Sequence, residues 1–261
     1  MRLLARIARV LGIEFALPVV IFTGWWFASA ASTSLFFPSL ESIIDSVRTD
    51  FVFDHVVSDL GPSLQNWVVA MTIAIVFGVG VGMLLGLSMV VREIVRPVVD
   101  GLRSTPAVVL LPVAVAIFGI GPPMSVPIIA FAATWPILIN SMAAAQAIDP
   151  AVHDMRHVYG IRGPRALFKV MLPAASPQIL LGIRQGLAVG LTILILSEMV
   201  GATNGIGYFI LQTERNFLIP EMWAGMLVLA ITGYLINLAF RGVEHLLLGW
   251  HYQESARKAE L

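Results

Sequence analysis

The sequence predicts an all-α membrane protein, a polytopic bundle of about six transmembrane helices, and three observations carry that prediction. Of 261 residues, 58% are hydrophobic and only 12% charged, against roughly half and a quarter in soluble domains; mean hydropathy is +0.87. The apolar residues are blocked together, with no Asp, Glu, Lys or Arg at 15–40, 61–91, 104–148 or 222–240. Each block is long enough for a helix to cross lipid, which needs roughly 20 residues. The third observation is the distribution of basic residues, which divides the connecting segments into two sets.

The blocks read as spans at 13–33, 63–90, 101–119, 124–147, 177–199 and 222–243. The third and fourth share one uncharged stretch, divided by Gly119-Ile120-Gly121-Pro122-Pro123, because adjacent Gly and Pro residues stop a helix and force a turn. Basic residues gather on the cytoplasmic side of membrane proteins. With both termini inside, Arg2, Arg6, Arg9, Arg92, Arg96, Arg103, Arg156, Arg162, Arg165, Lys169, Arg184, Arg241, Arg257 and Lys258 are all cytoplasmic. Of the 16 basic residues, only Arg48 and Arg215 then lie outside. The chain reads as one membrane domain over 1–261. Its segment 34–62 is extracytoplasmic, the core is 63–243 with a cytoplasmic loop at 149–176, and the tail is 244–261. Arg2, Arg6 and Arg9 before an apolar stretch ending Ala28-Ser29-Ala30 resemble a cleavable signal, but 15–31 exceeds the usual signal core and carries Trp25 and Trp26, so the first span is expected to be retained.

Composition excludes several functions. The formal charge is +0, so nothing suggests a nucleic-acid partner, and the absence of Cys removes disulfides and thiolate metal sites. No phosphate-binding G-x-x-x-x-G-K-[ST] occurs, so ATP chemistry would have to come from a partner. No cluster of His, Asp, Ser or Cys suggests an enzyme.

Before the second span, 39–51 places Leu40, Ile43, Ile44, Val47 and Phe51 on one helical face, the pattern of a helix lying on the membrane surface or of a docking surface for an extracytoplasmic receptor. Within that span Gly78, Gly82 and Gly86 recur every four residues, so a neighbouring backbone can approach one face closely.

The loop at 149–176 carries strong helix punctuation. Asp149 before Pro150 reads as an N-cap and first helical residue, and Gly160 as the residue that ends the helix. Ala151, Val152, Met155, Val158 and Tyr159 share one face; His153, Asp154, Arg156 and His157 lie mostly off it. That face either packs on the protein's own spans or lipid, or is presented to a cytoplasmic partner. Gly163-Pro164 is expected to open a second short helix that Pro173 stops, and Ser176-Pro177 to cap the fifth span.

Asp154-Met155-Arg156, Gly160 and Val170-Met171-Leu172-Pro173 are spaced like the E-A-A-x(3)-G-x(9)-I-x-L-P loop of bacterial ATP-binding-cassette importer permeases. Gly160, Leu172 and Pro173 match that pattern; Asp154, Met155 and Arg156 depart from E-A-A, and Val170 replaces Ile. Phe37-Pro38-Ser39, Leu102-Arg103-Ser104-Thr105-Pro106, Phe118-Gly119-Ile120-Gly121, Ser197-Glu198-Met199 and Gly205-Ile206-Gly207-Tyr208 extend the likeness along the chain. The whole resembles the nitrate, sulfonate, taurine and bicarbonate branch. The resemblance implies a type I importer fold in the bacterial inner membrane. It implies two cytoplasmic ATPases holding ATP and Mg, a second permease copy or similar chain, and an extracytoplasmic binding protein. It also makes Asp149, Val152, Asp154, Met155, Arg156, Val158, Tyr159, Gly160, Leu172 and Pro173 the ATPase-coupling residues.

Polar residues inside spans are costly in lipid and are expected to face the bundle interior. Thr105, Thr134, Asn140, Ser141, Gln185, Thr192, Ser197 and Glu198 are the candidate pathway residues, each with interhelical hydrogen bonding as the plainer role. Glu198, read as the single acid in an apolar span, either bonds the following Gly-rich turn or serves gating. Arg184 is expected to snorkel to the headgroups. An ATP-independent secondary transporter or channel is the alternative, disfavoured because intramembrane charge is nearly absent.

Overall fold

The computed structural model describes residues 16–17, 19–32 and 34–248, and at 50–54 the helical backbone alone. Among these the chain is helical throughout, with no strand. The start of the expected first span, its preceding Arg2, Arg6 and Arg9, and the tail beyond 248 with Arg257 and Lys258 lie outside the described residues.

In order, the elements are α1 (Val19–Ser29), α2 (Leu40–Ser46), a π-helical stretch (Val47–Leu60), α3 (Gly61–Leu87), α4 (Met89–Ser104) and a 3-10 turn (Ala107–Leu110). They continue with α5 (Leu111–Phe118), α6 (Pro122–Gln146), α7 (Pro150–Val158), α8 (Pro164–Ala166), a second π-helical stretch (Leu167–Met171), α9 (Leu172–Gly201), α10 (Ile206–Arg215) and α11 (Ile219–Leu247). Among the described residues, four continuous helices are long and apolar enough to cross a membrane: His55–Leu87, Pro122–Gln146, Pro164–Gly201 and Ile219–Leu247.

The predicted span 101–119 is not one straight helix. Pro106 drives the residue before it out of the helical region, and Thr105 accordingly sits at φ −77°, ψ 117°. The axis bends by 80° there. Beyond the bend a 3-10 turn of 4 residues and a helix of 8 reach only roughly 18 Å at about 1.5 Å per residue. Before it, α4 is amphipathic: Arg96 and Arg103 pair with Asp100 at 3.6 and 3.0 Å, while Ile94, Val98 and Leu102 are exposed.

α6 lies at the centre, packed between α3 and α9, and small residues on both neighbours make this possible. A Cβ on Gly78 would stand 2.8 Å from Ile137 Cγ2, one on Gly82 2.6 Å from the Leu138 carbonyl, and one on Gly86 2.5 Å from Ala145 Cβ. The close approach expected for this Gly face is therefore made against α6. On α9, Gly182, Gly186 and Gly190 repeat the spacing: Cβ atoms there would meet Asn140, Ile137 and Met71 at 2.6–2.9 Å. Lipid tails are as apolar as side chains, so such backbone-level packing rather than apolar burial holds the three helices together.

Two expectations at the bundle's surfaces are corrected. The helix beginning at Ser39 forms, with Ser39 Oγ accepting from the Ser42 N–H, but Leu40 and Ile43 are buried and α2 packs on α11, so protein covers this face where a membrane surface was expected. Ser29 Oγ accepts from the Leu40 N–H at 3.0 Å, locking α1 to α2. Nearby Trp25, Phe37 and Trp223 form an aromatic cluster with centroids 5.6–6.4 Å apart. Secondly, Pro173 does not stop a helix and Ser176-Pro177 does not cap one; Pro164–Gly201 is continuous. The π-helical stretch explains this: the Leu172 N–H bonds Leu167 O, the wider turn that accommodates a residue with no N–H and a bulky ring.

At the end of α10 the chain turns through Phe217, whose φ of +56° is an unusual conformation for an aromatic residue. The Leu218 N–H bonds Thr213 O at 2.9 Å across this turn. Phe217→Gly should relieve strain of about 1 kcal/mol, read as a raised unfolding midpoint in detergent; an unchanged or lower midpoint would show that the exposed ring has a stabilising contact.

Candidate coupling site and solute pathway

The loop helix α7 is built as its residues dictate. Asp149 Oδ1 accepts from the Ala151 N–H at 2.8 Å, and Pro150 follows where its missing N–H costs nothing. At the other end Gly160 has φ +65°; its N–H bonds His157 O at 3.1 Å and the Ile161 N–H bonds Arg156 O at 3.0 Å. This paired arrangement closes the last turn and needs a left-handed residue, which Gly provides without steric cost.

The helix has an inner and an outer face, and the structure sorts the candidate residues between them. Val152 packs on the main core, correcting its assignment to the presented face, and Arg156 is half-buried beside it. Asp154 is exposed, and Met155, Val158 and Tyr159 are 41%, 83% and 75% exposed, so a short, rigidly capped helix presents three apolar or aromatic side chains to the surroundings. Leu172 and Pro173 stand at the start of α9, outside the α7 helix.

The polar candidates divide more sharply. Asn140 and Gln185 meet: Asn140 Nδ2 donates to Gln185 Oε1 at 3.1 Å and to Pro136 O at 2.8 Å, while its Oδ1 accepts from Gln178 Nε2 at 2.9 Å. Gln178, Gln185 and Thr192 occupy positions seven apart on one exposed face of α9. Thr134 and Thr192 return their hydroxyls to carbonyls one turn back, as does Thr105 at the α4 bend. Ser197 is buried and bonded to Leu194 O; Ser141 is buried against α3 without a partner among the described residues.

Glu198 belongs to a different structure, at the end of the bundle opposite the loop. It is 2% exposed; Ser63 Oγ donates to its Oε1 at 2.6 Å and the Gly207 N–H to its Oε2 at 2.8 Å. Ser63 Oγ in turn accepts from the Ile206 N–H at 2.9 Å. Asp59 Oδ1 takes the Gly205 N–H at 3.0 Å, and its Oδ2 meets His55 Nδ1 and Ser58 Oγ, each at 2.7 Å. Asp59, Ser63 and Glu198 thus hold three successive backbone N–H groups of the turn into α10. Gly205 is required here: its φ is +113°, and a Cβ would stand 2.6 Å from the Glu198 carboxyl. The hydrogen bond to the Gly-rich turn is one of the two alternatives posed for Glu198; Asp59 and Ser63 had no sequence signal beyond being polar before a span.

Arg184, expected at the headgroups, pairs with Glu244 of α11, which extends to Leu247, past the expected boundary at 243. Glu198 is therefore not the single acid in the spans.

The bundle's middle helix is thus gripped through glycines, and the segment between α6 and α9 carries a capped amphipathic helix. Residues 58–248 match the family of binding-protein-dependent transport system inner membrane components, and the chain belongs to that family. It is the permease subunit of an ATP-driven importer. It is 31% identical over 240 residues to the taurine transport system permease protein TauC of Escherichia coli, covering 89% of this chain and 87% of that one. It is 30% identical to the putative aliphatic sulfonates transport permease protein SsuC of Bacillus subtilis, over 66% of this chain and 63% of that one. Identity is 29% to the nitrate import permease protein NrtB of Synechocystis, over 67% and 64%. Among solved structures, inward-facing MetNI methionine ABC transporter resembles it with a TM-score of 0.65 at 22% identity, over 76% of this chain and 99% of that chain. The fold is that of the type I importer permeases.

Proposed function

We propose that this permease carries a small oxyanion or sulfonate inward, of the kind named for its taurine, sulfonate and nitrate relatives. In this reading it lies in the bacterial inner membrane with both termini cytoplasmic, and it catalyses no reaction itself. Two cytoplasmic ATPases hold ATP and Mg, and an extracytoplasmic binding protein delivers the solute. The observation that carries the reading is the outward face of α7, where Met155, Val158 and Tyr159 stand exposed on a helix anchored inward by Val152. Buried in an ATPase groove, that face makes different contacts with the open and closed ATPase pair, and this difference in free energy is what can shift the permease between its states.

A second copy or similar chain completes the pathway. The α9 face bearing Gln178, Gln185 and Thr192 is uncovered in one protomer; between two protomers it offers amide and hydroxyl donors, suited to weak contact with an anion in transit.

The test is site-directed. Tyr159→Cys in a cysteine-free chain should cross-link to the ATPase subunit in membranes, and the yield should change on adding ATP with vanadate. In intact cells His153→Cys should be shielded from an impermeant thiol reagent and Phe36→Cys labelled. Labelling of position 153 from outside would reverse the orientation, and absence of any Tyr159→Cys adduct would remove the coupling assignment.

A further inference from the structure

We propose that the apolar groove between α3 and the start of the α9 helix binds one acyl chain of an anionic phospholipid, whose phosphate is held by Arg156 and His153. The groove encloses about 810 Å³. Val79, Met83 and Leu87 of α3 form one wall and Leu167, Phe168 and Met171 the other. Between them Gly80 leaves the wall open, since a Cβ there would meet nothing within 4 Å. The α3 lining runs from Ile75 to Leu87, roughly 18 Å at about 1.5 Å per residue, parallel to the direction in which an acyl chain lies.

The mouth of the groove selects the occupant. Arg156 and His153 of α7 line it at the loop end, the depth of the cytoplasmic headgroups in the orientation proposed above. Arg156 Nε is shielded from solvent and has no hydrogen-bond partner among the described residues. Among the described residues its terminal nitrogen meets only His157 Nε2, at 3.3 Å, and no carboxylate pairs with it. A guanidinium in this state seeks a planar anionic acceptor, which a phosphodiester provides. An apolar slot closed by an unpaired cation is complementary to an anionic lipid of the cytoplasmic leaflet. The chain's own residues 1–15 are a poorer occupant, because Arg2, Arg6 and Arg9 would bring like charge to Arg156. The inference uses the orientation and is independent of the coupling role of α7.

The experiment uses the full chain reconstituted in phosphatidylcholine nanodiscs containing a trace of phosphatidylglycerol or phosphatidylcholine with a photoreactive diazirine in its acyl chain. Irradiation and peptide mapping should place phosphatidylglycerol adducts on 76–87 and 167–172, several-fold above the phosphatidylcholine probe. Gly80→Phe, which fills the groove while favouring helix, should remove most of this labelling. Arg156→Gln, on the inner face of α7, should bring phosphatidylglycerol down to the phosphatidylcholine level. Excess inorganic phosphate should not displace the adducts. Equal labelling by the two lipids, or labelling indifferent to both substitutions, overturns the proposal. So does displacement by free phosphate, which would make the site one for a soluble anion. A Val76→Cys disulfide between two copies, with no lipid adduct, would assign the groove to a second protomer instead.

Discussion

Glu198→Ala should lower the stability of the purified permease severely and abolish transport, although the substitution lies far from any ATPase contact. Glu198 accepts from Ser63 Oγ and the Gly207 N–H inside a site that is 2% exposed. Truncation strands both donors, at about 1–3 kcal/mol each. It also frees the turn into α10 from α9, since only the Asp59 contact to the Gly205 N–H would remain of the acid clamp. That turn adjoins the contact of the Gly121 N–H with Gly201 O at 2.7 Å, so the end of α9 and the turn before α6 lose a shared anchor. Glu198→Gln should be milder. Its carbonyl can still accept from Gly207 and its amide can donate to Ser63 Oγ, leaving one hydrogen-bonding group short where Ala leaves two. Ser63→Ala strands the Ile206 N–H and removes a donor to Glu198, so the Ser63→Ala, Glu198→Ala pair should be non-additive by about 0.5–3 kcal/mol in a double-mutant cycle. The measurement is loss of monodisperse protein on heating in detergent, followed by uptake assays of the surviving protein. Additive effects, or a Gln variant as damaged as Ala, would mean that the carboxylate does not hold the turn.

What was legible in the sequence was whatever depends on neighbours within a turn or two. The Asp149-Pro150 start and the Gly160 end of α7 are local chemistry, and both caps form where expected. The Gly78, Gly82, Gly86 face was readable because the small residues recur on one helix, and the same spacing recurs at Gly182, Gly186 and Gly190 of α9. Pairings across long separations were not legible. Ser63 and Glu198 are 135 positions apart and Arg184 and Glu244 are 60 apart, and no local pattern names either partner. Proline misled in both directions. Pro106 bends what reads as one span, while Pro173 is absorbed by a π-helical turn that only the five-residue hydrogen bond from Leu172 to Leu167 reveals. Hydropathy does not distinguish these cases, because backbone hydrogen bonding decides them.

Gly160→Val and Met155→Asp should each uncouple the transporter while leaving the bundle intact. Gly160 holds φ +65° with open space around its Cα, so the obstacle to a side chain there is conformational rather than steric crowding from neighbours. A β-branched residue in the left-handed region costs about 1–2 kcal/mol, enough to break the paired bonds from Gly160 and Ile161 to His157 and Arg156 and swing Tyr159 off its line. Gly160→Asn, which tolerates that conformation, should retain most coupling, and this contrast separates backbone strain from loss of a small residue. Met155 is half-exposed and anchors no core; Met155→Asp leaves the free permease undisturbed and places a carboxylate in a partly dry ATPase groove, a penalty on the order of several kcal/mol. Both variants should purify with parental yield and elution profile, recover less ATPase on affinity capture, and show transport reduced by an order of magnitude or more. Retention of the ATPase with parental uptake in both would make α7 a mere connector between α6 and α9.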